Sequence, residues 1–367
     1  MKYTKLKLKV FSGQSGFDKI KEHWSGLFQG LKNPGYTQSP IWHYAYIKHL
    51  CANPDSCFYF CIFDNDKLIA IFPFEQTCHR YFFLRLNSLS FSEHSHFGLK
   101  SVLVADEEDT QYLFNFLYKS LKNQKSIKWN LIYLEQALDG TSTASCMVFD
   151  KKLSLQSVSN NCDVLPIQNQ EEIATRLTKN FKNNLKKARK KLLKLDDVEY
   201  RTCTGKHNMG ACFEQFLTVE ASGWKGSAGK SSAIKLNTNL CEFYKQVMTD
   251  FSELGQMEIN ILTVDETAIA VQYAIILANT VFLLKIGYDE QYSKVSPGNM
   301  LIEEKLNSYL DQPHLKNVNL ITDAPWHRSW QPEVINAKNI YNCRNRFVAI
   351  YIKMMLLIRE IVHFIKK

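Results

Sequence analysis

Residues 281–310 read VFLLKIGYDEQYSKVSPGNMLIEEKLNSYL. The apolar run from Val281 to Ile286 has strand character, and from Met300 the apolar residues recur at Leu301, Leu306 and Leu310, as along one face of a helix. The stretch predicts strand, loop and helix. Pro297 lacks a backbone donor and suits the first helical turn, while Gly298 lets the backbone approach a bound group. Amides left free at a helix N-terminus, here Gly298, Asn299 and Met300, attract anions. No Walker lysine accompanies them, so a diphosphate held by backbone fits better than a P-loop phosphate. An ordinary βα turn carries the same residues, and on this stretch alone that alternative stays open.

The chain has 367 residues, natural for two domains, and 45% hydrophobic with 13% aromatic residues supports substantial cores. A net charge of +9 favours acidic partners: a phosphorylated cofactor, nucleic acid or an anionic membrane. MKYTKLKLKVF lacks the unbroken apolar stretch of a signal peptide and reads as a first strand. Ten scattered cysteines without a CxxC pair fit reduced thiols, and the expected location is the cytoplasm. Lys353, Arg359 and Glu360 interrupt the most apolar segment, so no membrane span is expected.

Upstream, Ser39 and Pro40 open a helix, SPIWHYAYIKHL. FYFCIFDNDKLIAIFPF then reads as a hairpin turning at Asp64, Asn65 and Asp66. The helix TQYLFNFLYKSLK and the strand WNLIYLEQA complete an α/β first half, and a polar joint follows from about Leu138 to Pro166. The second half repeats the order, with FEQFLTVEASGW, a helix around 239–251, and the hairpin INILTVDETAIAVQYAI turning at Asp265 and Glu266. These observations predict an α/β (α+β) chain of two similar units. The expected boundaries are 1–160, 161–345 and a C-terminal amphipathic basic helix at 346–367.

Between the units, Glu171 to Leu195 is expected to form one long helix. Its basic face carries lysines and arginines with no acid between Ile173 and Leu195. Surface or cofactor-side electrostatics explains such a face better than nucleic acid, because no nucleic-acid motif accompanies it. EASGWKGSAGKSS ends like a P-loop, but Trp224 stands where the first glycine belongs. It reads instead as a substrate loop or an ordinary surface loop. Glu93, His94 and His96 are the densest ligand-like group, yet no HExxH or cysteine pair completes a metal site, and neither GxSxG nor GxGxxG occurs. In KNVNLITDAPWHRSWQPE a strand over 318–322 precedes Asp323, Trp326 and His327. An Asp near a His is suited to take a proton, and a packed salt-bridged cluster is the structural alternative.

KNFKNNLKKARKKL, EASGWKG, LKIGYDEQYSKVSPGNMLIEE, TDAP and WQPE, in this order over about 176–333, resemble the CelD-type branch of the GNAT-superfamily acyltransferases. That branch is associated with polysaccharide biosynthesis and related to the FemAB peptidyl transferases. The resemblance implies two tandem GNAT-like units, each a mixed sheet flanked by helices. It also implies acyl-CoA, most simply acetyl-CoA, as donor without a metal, and a sugar, glycan precursor or small metabolite as acceptor. YDEQYSKVSPGNMLIEE then corresponds to the pyrophosphate loop and helix, with Lys285, Ile286, Ser296, Gly298, Asn299 and Met300 holding the donor. Asp323 or His327, then Glu220, are the expected proton acceptors, Tyr288 the acid toward the departing thiolate, and Trp224, Lys225 and Trp326 the acceptor contacts. Two departures stand out: the family's glycine-rich loop is reduced to Ser296–Asn299, and Val334 and Ile335 replace an expected basic pair. A FemAB-like transferase taking aminoacyl-tRNA on the basic helix, or a non-catalytic module, are the alternatives. RFVAIYIKMMLLIREIVHFIKK, from Arg346, is either a packing or dimerisation helix or a peripheral contact at the inner membrane surface.

Overall fold

The computed structural model describes the chain apart from residues 1, 2, 4, 82, 168–172, 174, 224, 227, 228, 366 and 367, and apart from the side chains of residues 79, 81 and 363–365. It divides into two units, one formed by residues 1–47, 51–161 and 335–367 and the other by 48–50 and 162–334. The division after 161 falls within the polar joint, one residue beyond the expected boundary at 160, and 335–367 groups with the first unit. The physical cause is strand pairing: Ala337–Cys343 runs antiparallel to both Leu131–Leu138 and Ser154–Val158 in the first sheet.

In the first unit the sheet order is Leu6–Ser12, Cys57–Asp64, Lys67–Tyr81, Leu84–Ser90, Leu131–Leu138, Ala337–Cys343 and Ser154–Val158, with Leu103–Val104 pairing to Lys67–Tyr81. The second unit orders Glu333–Ile335, Cys162–Pro166, Asn317–Asn319, Thr280–Tyr288, Thr267–Leu277, Met257–Val264 and Val198–Thr204. Its helices are Lys179–Leu192, Met209–Glu220, Thr238–Glu253 and Pro297–Leu310.

The two hairpins repeat more than their order. In each, the register shifts by one residue, between Ile62 and Phe63 and between Leu262 and Thr263, so that Ile69 and Ile269 are the extra residues. Each turn uses left-handed backbone, at Asn65 in one and at Asp265 and Glu266 in the other. A bulge sharpens local twist, and its recurrence at one place in both hairpins marks two copies of one α/β unit.

Three expectations are corrected. The long helix over 171–195 does not run unbroken: Leu177 and Thr178 interrupt it, and Thr178 caps a new helix by accepting from the Phe181 amide at 3.2 Å. The strand before Asp323 is shorter, Asn317–Asn319. Cys203 and Cys212 form a disulfide joining the strand Val198–Thr204 to the head of the helix Met209–Glu220, whereas all thiols were expected reduced. A sequence separation of 9 matches no motif, so spacing alone could not reveal it.

Two apolar cores hold the second sheet between its helices. On one face Leu185, Ala188 and Leu192 meet Met300, Leu301 and Leu306 over Val281 and Leu283. On the other, Phe213 and Phe216 pack on Tyr273, which also meets Tyr244.

Candidate functional site

Thr280–Tyr288 pairs in parallel with Asn317–Asn319 over only three residues, Thr280 to Phe282. Beyond Phe282 this parallel pairing stops, although the strand, still paired to Thr267–Leu277 on its other side, runs on to Tyr288. A register shift opposite Tyr273 and Ala274 leaves Leu284 as an extra residue against the neighbouring strand. Such a bulge bends a strand and reverses which side chains point to which face. Val281 and Leu283 therefore enter the core beneath the helix Pro297–Leu310, and Ile286 packs there too, while Lys285 turns to the opposite face, 5.7 Å from the Tyr244 ring centroid. Burial, with the nearby Lys225 ammonium, lowers the Lys285 pKa to about 8 against the opposing pull of Glu220.

The helix Pro297–Leu310 begins beside this parted edge. Ser296 is left-handed, with φ 50° and ψ 54°, Pro297 occupies the first position, and no acid lies in the first turn. The Met300 amide donates to the Ser296 carbonyl at 3.1 Å, and its side chain is buried in the core. Met300 thus leaves the expected anion-binding set. Proline has no amide, so Gly298 and Asn299 are the residues whose amides have no partner among the described residues. Asn299 is fixed from the side, its Oδ1 accepting from Trp330 Nε1 at 3.2 Å, and Trp330 stands edge-on to Phe181 of the basic helix.

A cleft of about 490 Å³ gathers these elements. It is lined by Glu220, Lys225, Ile286, Tyr288, Ser296, Gly298, Asn299 and Trp326 among the expected residues. Lys225 Nζ donates to the Ile286 carbonyl at 3.1 Å and lies 3.2 Å from Glu220 Oε1. Glu220 Oε2 accepts from the Ile234 amide at 2.9 Å, and its side chain is 2% exposed against 23% for Lys225. The buried carboxylate is therefore paired through both oxygens. Tyr288 is half exposed and its ring covers the helix start, so that a Cβ on Gly298 would meet Tyr288 Cδ1 at 3.6 Å.

The structure also separates residues that the sequence grouped. Among the residues lining the cleft, neither Asp323 nor His327 appears. His327 is buried, with Nδ1 2.8 Å from Asp163 Oδ2, and burial lowers its pKa although Asp163 pulls the other way. The hydrogen-bonded partner of His327 is thus Asp163, and Asp323 acts on the imidazole through its charge. Trp224 lies outside the described residues. Gly223, Gly287, Glu290, Ser293 and Ile302 line the cleft without having been anticipated. Gly287 had a legible signal: glycine inside a strand marks a close approach, and a Cβ there would stand 2.8 Å from Glu220 Cα.

Among the described residues no three metal-binding side chains come together, and His94 Nδ1 accepts from the His96 amide at 3.2 Å. The first unit follows its corresponding parallel pair, Leu84–Ser90 with Leu131–Leu138, by a loop rather than a helix, the next helix starting at Thr110.

Residues 179–327 match the acetyltransferase (GNAT) domain family. No curated protein matches the chain in sequence. Among solved structures the chain is similar to FemX, at 8% identity and TM-score 0.56, covering 88% of this chain and 96% of that one. L-PGS from Bacillus licheniformis superposes with TM-score 0.53 at 8% identity, over 91% of this chain and 96% of that one. A conserved protein of unknown function from Bacteroides thetaiotaomicron VPI-5482 gives 0.52 at 13% identity, over 89% and 97%. At these identities the likeness is one of fold. Residues 179–327 of the second unit are thus similar to the GNAT acetyltransferase domain, and the chain is a mixed α/β protein of two units, each a mixed sheet flanked by helices.

Proposed function

We propose that the second unit transfers an acyl group from acyl-CoA, acetyl-CoA in the first instance, to an amine or hydroxyl of a sugar or glycan precursor, as in the CelD-type branch. The observation that carries the proposal is the pairing of a parted parallel edge beyond Phe282 with two unpartnered amides, Gly298 and Asn299, opening into the same cleft. These amides suit the donor diphosphate. The donor supplies the activated acyl carbonyl. In this reading Glu220 accepts the proton of the attacking amine or hydroxyl, Lys225 holds the carboxylate in place, and the Tyr288 hydroxyl faces the leaving sulfur. Asp323 and His327 then serve the shape of the loop, and Trp326 and Lys225 border the acceptor.

Calorimetric titration with acetyl-CoA tests the donor. Saturable binding that Gly298→Glu weakens at least about tenfold supports the assignment; binding indifferent to that change removes the diphosphate from this helix.

One observation favours a second reading. The helix Lys179–Leu192 exposes a run of lysines without an acid and is tied to the site helix through Arg189 and Glu303 at 2.5 Å. Such a face suits the phosphate backbone of an aminoacyl-tRNA donor. Filter binding with charged tRNA separates the two: retention that falls steeply with salt, without CoA binding, selects the tRNA donor.

A further inference from the structure

In the first unit the helix Arg346–Ile365 packs Val348, Ala349 and Ile352 into the core. Its opposite face is exposed and apolar: Phe347 is 67% exposed, Ile350 69%, Met354 48%, Leu357 50% and Ile361 58%. At about 100° per residue these positions, with Ile358 and Val362, share one arc of about 140°. Buried helices are apolar all round and solvated ones are polar outside; this helix is apolar on two opposite faces, and only one has a partner in its unit. Scattered exposed apolar residues are ordinary, but a continuous stripe along most of a helix marks a docking surface.

The charges identify the occupant. Arg346 and Lys353 are exposed along one edge of the stripe, Arg359 lies on the other side of the helix, and Glu360 is the single acid of the helix. Lys366 and Lys367 follow in the sequence, and the whole chain carries +9. Among the described residues no helix is long and apolar enough to cross a membrane. A stripe of bulky apolar side chains bordered by cations matches the acyl boundary and headgroups of an anionic bilayer. We infer that this helix lies flat on an anionic phospholipid surface, apolar stripe inward, and holds the protein there.

The test is flotation of the full chain with vesicles of phosphatidylglycerol and phosphatidylcholine, and with phosphatidylcholine alone. The expected result is recovery with the anionic vesicles at least about tenfold above neutral ones, falling with added salt. Ile350→Glu with Ile361→Glu, both at exposed positions, should leave the circular dichroism spectrum and melting unchanged and abolish flotation. Arg346→Glu with Lys353→Glu should reduce flotation on anionic vesicles alone. The inference is overturned if the unaltered chain stays at the bottom with anionic vesicles. It is equally overturned if the chain is a dimer by light scattering that Ile350→Glu and Ile361→Glu dissociate while flotation is absent, since a second copy would then cover the stripe. Neither result bears on acetyl-CoA binding, so this inference and the transferase proposal fail separately.

Discussion

Lys225 stands between a carboxylate and a strand edge, 3.2 Å from Glu220 Oε1 and 3.1 Å from the carbonyl oxygen of Ile286. One ammonium thus ties the end of the helix Met209–Glu220 to the parted edge of Thr280–Tyr288. Replacing it by Lys225→Met leaves the buried Glu220 carboxylate with the Ile234 amide as its remaining partner. The expected cost is about 1–3 kcal/mol in urea unfolding, and adding Glu220→Gln should recover part of it. A double change as costly as the sum of the singles would show that the pair is not coupled.

Gly287 and Gly298 separate packing from binding. A Cβ at Gly287 would lie 2.8 Å from Glu220 Cα, a backbone atom that cannot turn aside, whereas at Gly298 the nearest contact is an ordinary 3.6 Å. Gly287→Ala should therefore cost about 1–3 kcal/mol. Gly298→Ala should change stability by no more than about 1 kcal/mol, alanine being the better helix former. Thermal melting of both variants checks this, and equal losses would refute the close approach.

Lys285 makes stability depend on alkaline pH. Its folded pKa is lowered to about 8 from 10.5, so between those values the unfolded chain binds a proton that the folded chain lacks. Stability then rises as pH increases through about 8 toward 10.5, and the cost of burying the ammonium is fully present below 8. Lys285→Met should flatten that part of a pH series of urea unfolding, and an unchanged slope would place the lysine in water.

His327 acts at the acid end. Its folded pKa lies below 6.5, so on falling pH the unfolded state gains a proton first and stability is lost below about 6.5. Asp163 opposes but does not cancel the effect of burial. His327→Gln should weaken this acid loss, and Asp163→Ala should cost about 1–3 kcal/mol by removing the carboxylate partner of Nδ1. Unfolding followed between pH 5 and pH 8 measures both; an acid limb identical in all three proteins would discount the pair.

The local order of elements was legible because it is written in short windows. Alternating apolar residues around Asp64–Asp66 and Asp265–Glu266 specify hairpins, and Ser296, Pro297 and Gly298 specify where a helix begins. The repeat of that order announced two similar units, and the glycine-poor turn named most of the cleft's anion-facing wall. Less legible was the amide count at the helix start. Whether Met300 donates to Ser296 or to a ligand depends on where the helix closes its first hydrogen bond.

The sequence by itself determined two α/β units, the strand-loop-helix of 281–310 and the basic and apolar helices. Each depends on contacts within a few turns or one hairpin. Only the tertiary structure decided that the strand Ala337–Cys343 enters the first sheet between Leu131–Leu138 and Ser154–Val158, that His327 pairs with Asp163 across 164 residues, and that the bulge at Leu284 sends Lys285 to the face of Tyr244. These choices are settled by which distant groups can be buried together with their hydrogen bonds satisfied, and no window of sequence contains both partners.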